Sequence, residues 1–349
     1  MSGLTPARPL GLASAAPACA LDPTSAASVC ASDDAVIRTK GLTKDYGCDR
    51  GIFDVDLEVR KGEVFGYVGT NGSGKTTTIR ALMGFIKPTA GTAELCGSDC
   101  WTHAAHNMLA VSYIPGEVAF PDLRTGVEFL KSQARHLGVT DFSYMNRVIE
   151  ALQLDPTANL KRMSKGMKQK TAIAAALMAR RDVLILDEPT TGLDPLMRDA
   201  FLDLVRAEKE AGHTVFMSSH IFEEMEEVCD RVAMIRDGRV IGVVDLDELR
   251  RSQTRRYALE FATAWQAEEF DRRFPGGRFS GARSSEAQPL GGRPSDAQPT
   301  GQVTRQVAVQ ASQTAELFQA LDGCGLTALS ERRATLEDIF LQAYDQGAE

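Results

Sequence analysis

Val64-Phe65-Gly66-Tyr67-Val68-Gly69-Thr70-Asn71-Gly72-Ser73-Gly74-Lys75-Thr76-Thr77 is the stretch on which the fold class turns. An apolar run, Val64–Val68, leads into Gly69, and Gly69 to Thr76 fits G-x-x-x-x-G-K-[ST]. The helical run Thr76–Phe85 follows at once, so the motif lies between a strand and a helix, the setting in which it holds phosphate. Gly69, Gly72 and Gly74 let the backbone wrap closely, because no Cβ stands in the way. The N–H groups of Thr70, Asn71, Ser73 and Thr77 then line a cradle at the positive end of a helix dipole. Lys75 brings a charge to the outer phosphates of a nucleotide, and the Thr76 hydroxyl is a ligand for Mg²⁺.

Working outward, Val183-Leu184-Ile185-Leu186-Asp187-Glu188 is a second buried strand, ending in two carboxylates. Asp187 is placed to hold Mg²⁺, and Glu188 to polarise an attacking water. The apolar run Thr214–Met217 is a third such strand, and amphipathic segments such as Pro195–Glu210 stand between strands. Runs buried on both faces alternating with helices predict an α/β core with a parallel sheet. Between Trp101 and Lys161 strand signals thin out, apart from Val111–Pro115. Two helical patterns, Gly126–Leu137 and Asp141–Leu154, predict an inserted helical subdomain at about 101–165. Asp237-Gly238, between Val232–Ile235 and Val240–Val244, reads as a hairpin turn.

With these residues in order, the chain resembles the ATP-binding subunits of ABC transporters over about Val36 to Val244. Asp187-Glu188-Pro189-Thr190-Thr191-Gly192-Leu193-Asp194-Pro195 resembles the family's Walker B and D-loop. His220, after Val215–Ser219, falls at the position of the switch histidine, and Tyr46 where an aromatic ring stacks on adenine. Met163-Ser164-Lys165-Gly166-Met167-Lys168-Gln169 resembles a diverged LSGGQ signature, with Lys165 for the first glycine and Met167 for the glutamine. Alone, Ser164 is also a good helix cap, and His220 an ordinary strand-end histidine. The resemblance implies two ATP molecules sandwiched between two copies of the chain. Each site would join Lys75, Thr76, Asp187, Glu188 and His220 of one copy to Ser164 and Gly166 of the other, with Asp194 coupling the sites. The usual glutamine after Tyr113-Ile114-Pro115 is replaced by Gly116, which leaves Glu117 as the nearest group for Mg²⁺.

The resemblance also implies a separate membrane permease, docked on the helical insertion near Glu117–Leu160, and a place at the inner face of the cell membrane. Ala334-Thr335-Leu336-Glu337-Asp338-Ile339-Phe340-Leu341 resembles the ending of the drug and antibiotic self-resistance exporters, which raises export of a drug, antibiotic or lipid-like cargo over import. A soluble mechanoenzyme acting on nucleic acid or ribosomes is the alternative, disfavoured by the absence of long coiled coils or a second fused ATPase unit.

Composition agrees. The 349 residues are 43% hydrophobic and 25% charged, enough for roughly two globular domains. With 39 Lys+Arg against 47 Asp+Glu the net charge is −8, so coating a nucleic-acid backbone is not expected. No stretch reaches the roughly 20 apolar residues of a membrane-spanning helix. Seven cysteines at irregular spacing fit reduced thiols; Cys96, Cys100, His103 and His106 make only a weak zinc pattern. Residues 1–34 read as a disordered Ala/Ser/Pro-rich leader and 35–245 as the ATPase domain. Residues 246–349 read as a small C-terminal α/β domain, with a disordered loop at about 276–302 built on the decapeptide repeat Gly281–Leu290 and Gly291–Thr300.

Overall fold

The computed structural model of the chain describes residues 34–251, 254–274, 278–279, 303–310, 313–333 and 335–346. Residues 1–33 of the expected leader and the whole decapeptide repeat lie outside them. The described chain opens on the hairpin β1 (Ala35–Asp45) and β2 (Gly51–Arg60), then β3 (Val64–Val68), α1 (Lys75–Leu82), β4 (Ala90–Leu95), β5 (Ser98–Asp99) and α2 (Ala104–Asn107). Next come β6 (Val111–Ile114), α3 (Gly126–Leu137), α4 (Ser143–Ala151), α5 (Lys165–Leu177), β7 (Val183–Asp187), α6 (Pro195–Glu210) and β8 (Thr214–Ser219). The core closes with α7 (Phe222–Val228), β9 (Arg231–Arg236), β10 (Arg239–Asp245) and α8 (Leu246–Arg251).

The main sheet runs β10-β9-β3-β8-β7-β6, parallel except for the β9–β10 hairpin. Strands β3, β7 and β8 are buried at every residue, as the unbroken apolar runs require. Side chains alternate between faces along β3. Phe65 and Tyr67 pack with Ile79 and Leu82 of α1, while Val64 and Val68 join the opposite core. That opposite core holds Phe201 and Val205 of α6 and the apolar stripes of α3, α4 and α5, so the helical insertion rests on the sheet through its own side chains.

A second sheet, β2-β1-β4-β5, is antiparallel and covers α1 from the other side. The core thus carries an antiparallel sheet beside the expected parallel one. Leu57 and Val59 of β2 alternate with exposed Asp56 and Glu58, the mark of a strand with one buried face.

The described C-terminal strands pair antiparallel, with helices between them. They are β11 (Thr254–Phe261), α9 (Ala264–Arg273), β12 (Arg278–Phe279), β13 (Val303–Gln310), α10 (Thr314–Leu321) and β14 (Leu326–Arg333). Their sheet order, β12-β13-β11-β14, is the split β-α-β arrangement of a ferredoxin-like fold. Strand β12 lies inside the span expected to be loop at about 276–302, because Arg278 and Phe279 pair with Ala308 and Val307. Phe261, Phe270, Val307 and Leu317 form a core of their own.

The last helix, α11 (Leu336–Gln346), leaves that unit and returns to the ATPase core. Leu336 and Phe340 are buried in the cluster of α6 and α7, and the Phe340 ring lies 5.2 Å from that of Phe222. The backbone N–H of Leu336 donates to Glu226 Oε1. Among the described residues no helix is long and apolar enough to cross a membrane.

Candidate functional site

The loop between β3 and α1 folds as its glycines demand. Gly72 and Gly74 sit at φ +83° and +112°, where a Cβ is strained, and a Cβ on Gly69 would lie 2.3 Å from the Ile235 carbonyl oxygen. Lys75 is buried and turns back over the loop, its Nζ donating to the carbonyls of Gly69 at 2.8 Å and Thr70 at 3.1 Å. Thr76 and Asn71 are exposed at the mouth, and the buried Ser73 Oγ has no hydrogen-bond partner among the described residues.

Strands β7 and β8 bring the acids to this loop. Asp187 is fully buried; its Oδ1 accepts from Ser218 Oγ at 2.7 Å, and its Oδ2 has no hydrogen-bond partner among the described residues. Glu188 follows at φ +47°, an uncommon backbone for a side chain that has to be aimed. Its N–H donates to Ser218 Oγ at 3.0 Å. Its carboxylate spans two basic groups, Lys75 Nζ at 3.2 Å and His220 Nδ1 at 3.0 Å, and accepts from Thr191 Oγ1 at 3.3 Å. Burial works to raise the Glu188 pKa, but the charges and hydrogen bonds of Lys75 and His220 outweigh it and hold the carboxyl below its ordinary range. Lys75, Asp187, Glu188 and His220 thus meet at one end of the sheet, as the sequence leads one to expect.

Beside the loop opens a cavity of about 270 Å³, lined among others by Tyr46, Arg50, Gly74, Thr77, Asp237 and Gly238. The Tyr46 ring is 55% exposed there, free to stack on a flat base, with Lys44 Nζ 5.5 Å from its centroid. The Asp237-Gly238 turn forms the expected hairpin, both residues at positive φ. Its place against the phosphate loop is new. Gly238 N–H donates to the Ser73 carbonyl at 2.9 Å, and the Gly238 carbonyl accepts from Phe53 N–H at 2.8 Å.

Ser164 caps α5, its Oγ accepting from Met167 N–H at 3.2 Å, and Asp194 caps α6, accepting from Met197 N–H at 2.9 Å. A Cβ on Gly166 would lie 2.6 Å from the Gly192 carbonyl oxygen, so the signature segment abuts the D-loop of its own chain. Among the described residues no hydrogen bond or ion pair joins Ser164, Gly166 or Asp194 to the phosphate loop.

Glu224, overlooked in the sequence, ties these segments together. It is 2% exposed, accepts from Thr190 Oγ1 and Ser219 Oγ at 2.9 Å each, and faces Arg198 Nε at 3.0 Å; burial raises its pKa. Nothing in the local sequence separates it from its acidic neighbours on α7.

The loop after β6 passes Asp187 through Gly116, whose Cβ would lie 3.3 Å from Oδ2. Glu117 is exposed and makes no hydrogen bond or ion pair among the described residues. Cys100 is buried, with burial the main cause pushing its thiol up to about 12, and His103 bonds to Thr102 Oγ1. Among the described residues Cys48, Cys100, Cys229 and Cys324 are free thiols.

A phosphate loop facing strand-end carboxylates, with a helical insertion between them, defines a P-loop nucleotide-binding ATPase. Residues 52–191 match the ABC transporter family. The bacitracin transport ATP-binding protein BcrA of Bacillus licheniformis is 36% identical over 229 residues, 65% of this chain and 74% of that one. The daunorubicin/doxorubicin resistance ATP-binding protein DrrA of Streptomyces peucetius is 36% identical over 221 residues, 62% and 67%. A solved ATP-binding subunit of an ABC transporter is similar with a TM-score of 0.56 and 30% identity, over 62% of this chain and 92% of that one. The chain belongs to the family of ABC transporter ATP-binding proteins, and it is an ATPase.

Proposed function

We propose that two copies of this chain close on two ATP molecules and power export of a drug, antibiotic or lipid-like cargo through a separate membrane permease. The observation that carries the proposal is the incomplete site. Lys75, Asp187, Glu188 and His220 converge, while Ser164 and Gly166 stand on another helix with no bond to them. A second copy supplies that missing side. Relatives named for bacitracin transport, Nod factor export and daunorubicin/doxorubicin resistance support the cargo class. No nucleic-acid partner enters the proposal, in keeping with the net charge of −8.

In this scheme Tyr46 stacks on adenine and the Gly69–Thr77 backbone holds the phosphates. The γ-phosphate draws Lys75 away from Glu188, and the freed carboxylate takes a proton from the attacking water. The water oxygen bonds to the γ-phosphorus, the bond to the β–γ bridging oxygen breaks, and ADP and phosphate result. His220 steadies the γ-phosphate, and Asp194 stands at the joint between the two sites.

A buried carboxylate oxygen without a partner, Asp187 Oδ2, fits a cation at this place. Asp187 and the Thr76 hydroxyl would hold Mg²⁺, which supplies positive charge against the phosphates. Glu117 is the acid on the loop that passes Asp187, and a Mg²⁺ titration of ATPase activity should shift its midpoint in Glu117→Gln. An unchanged midpoint removes Glu117 from the metal site.

The permease docks on the insertion near Glu117–Leu160, which keeps the chain at the inner face of the cell membrane. Co-purification from membranes tests the whole scheme. A hydrophobic permease should come down with the chain and stimulate its ATPase, and recovery of ribosomes or nucleic acid instead would overturn it.

A further inference from the structure

A buried carboxylate outside the ATP site joins the helical insertion to the core. Glu208, near the end of α6, is 1% exposed. Its Oε1 accepts from the hydroxyl of Tyr144 on α4, and its Oε2 lies 2.5 Å from Nδ1 of His213, just before β8. A carboxylate so deeply buried is tolerated because both oxygens have donors. Two guanidinium groups approach the Tyr144 ring, Arg147 at 5.0 Å and Arg180 at 4.8 Å from its centroid. Arg180 stands just past α5 at φ +45°, its N–H donating to the Leu177 carbonyl at 3.1 Å.

Helix α4 packs on α5, which Ser164 caps, and Asp194 caps α6. The Tyr144–Glu208 bond therefore ties α4, and through it the neighbouring signature helix, to the D-loop helix. We propose that Glu208 is a positioning residue: with Tyr144 and His213 it forms a clasp that holds the helical insertion at the angle from which Ser164 and Gly166 reach the second copy's ATP. This rests on the proposed sandwich dimer and names the residues that orient half of it.

The test uses the full chain carrying Glu188→Gln, which is expected to accumulate the ATP-bound dimer. Tyr144→Phe removes one hydroxyl and keeps the ring against its two arginines, so folding is preserved. Analytical ultracentrifugation should show ATP-driven dimerisation weakened about fivefold or more. Fluorescent-ATP affinity of the dilute single chain should stay within about twofold, because Lys75 and Tyr46 are untouched. Glu208→Gln, which still accepts from Tyr144, should fall between parent and Tyr144→Phe. Dimerisation equal to the parent's, or an equal loss in single-chain affinity, overturns the clasp. A Glu188→Gln parent that fails to dimerise on ATP overturns the sandwich itself, and the clasp's role with it.

Discussion

Glu188 lies between Lys75 and His220, so a phosphate that draws on the lysine frees the carboxylate. Glu188→Gln keeps the shape and loses the base. ATPase activity should fall by about 10²–10⁴-fold while ATP is still bound, and turnover at the parent rate would remove Glu188 from the chemistry. The same ion pairs give a pH signature. Because the folded pKa is lowered, their stabilisation is present above the ordinary glutamate value of 4.5 and is lost as the pH falls through the folded value. Melting scans from about pH 5 to pH 3 should therefore drop less steeply in Glu188→Gln than in the parent. At Gly238 the constraint is steric: a Cβ at φ +75° would lie 2.4 Å from the Gly51 carbonyl oxygen. Gly238→Ala should cost about 1–3 kcal/mol and weaken ATP binding by displacing Ser73. Gly212→Ala, at φ +88° in open space, should cost about 1 kcal/mol and leave ATP affinity alone. Equal effects of the two substitutions on affinity would detach the turn from the site.

At the scale of elements, α11 tests whether a helix far along the chain is part of the ATPase core. Phe340 is 5% exposed against Phe222, two residues beyond His220, while Leu341 is 52% exposed. Phe340→Ala should lower stability by about 3–5 kcal/mol, and Leu341→Ala by less than about 0.5 kcal/mol, both read from denaturant melts. A Phe340→Ala chain as stable as Leu341→Ala would mean that α11 does not hold its place. The elements best read from sequence were those with one unbroken signal. The α6 span Pro195–Glu210 emerges with its expected ends, set by Asp194 as cap and Pro195 in the first turn. Strands β1, β2 and β4 were not separated beforehand. Their apolar residues alternate across a half-buried sheet that includes bulged pairings, so no single run stands out.

For the whole molecule, two deletions separate what is packed from what is appended. Removing Gly281–Thr300 takes out a polar, Gly/Pro-bearing repeat and should leave the melting temperature and ATPase activity nearly unchanged. Ending the chain at Arg251 strips α11 from Phe222 on α7 and should destabilise the ATPase core as well. Equal losses in the two chains would overturn that distinction. The phosphate loop, the strand-end acids and the Ser164 cap were legible in the sequence because each is a local pattern, a turn or helix start whose residues are neighbours in the chain. The position of the Asp237-Gly238 turn against Ser73, the bridge of Glu224 between Thr190 and Ser219, the clasp of Tyr144 on Glu208 and the return of α11 to α7 were decided only by the tertiary structure. Each joins residues far apart in sequence. Such pairs exist only once the sheet and its layers have closed, and a buried acid or an Asp-Gly turn looks in sequence like any exposed one.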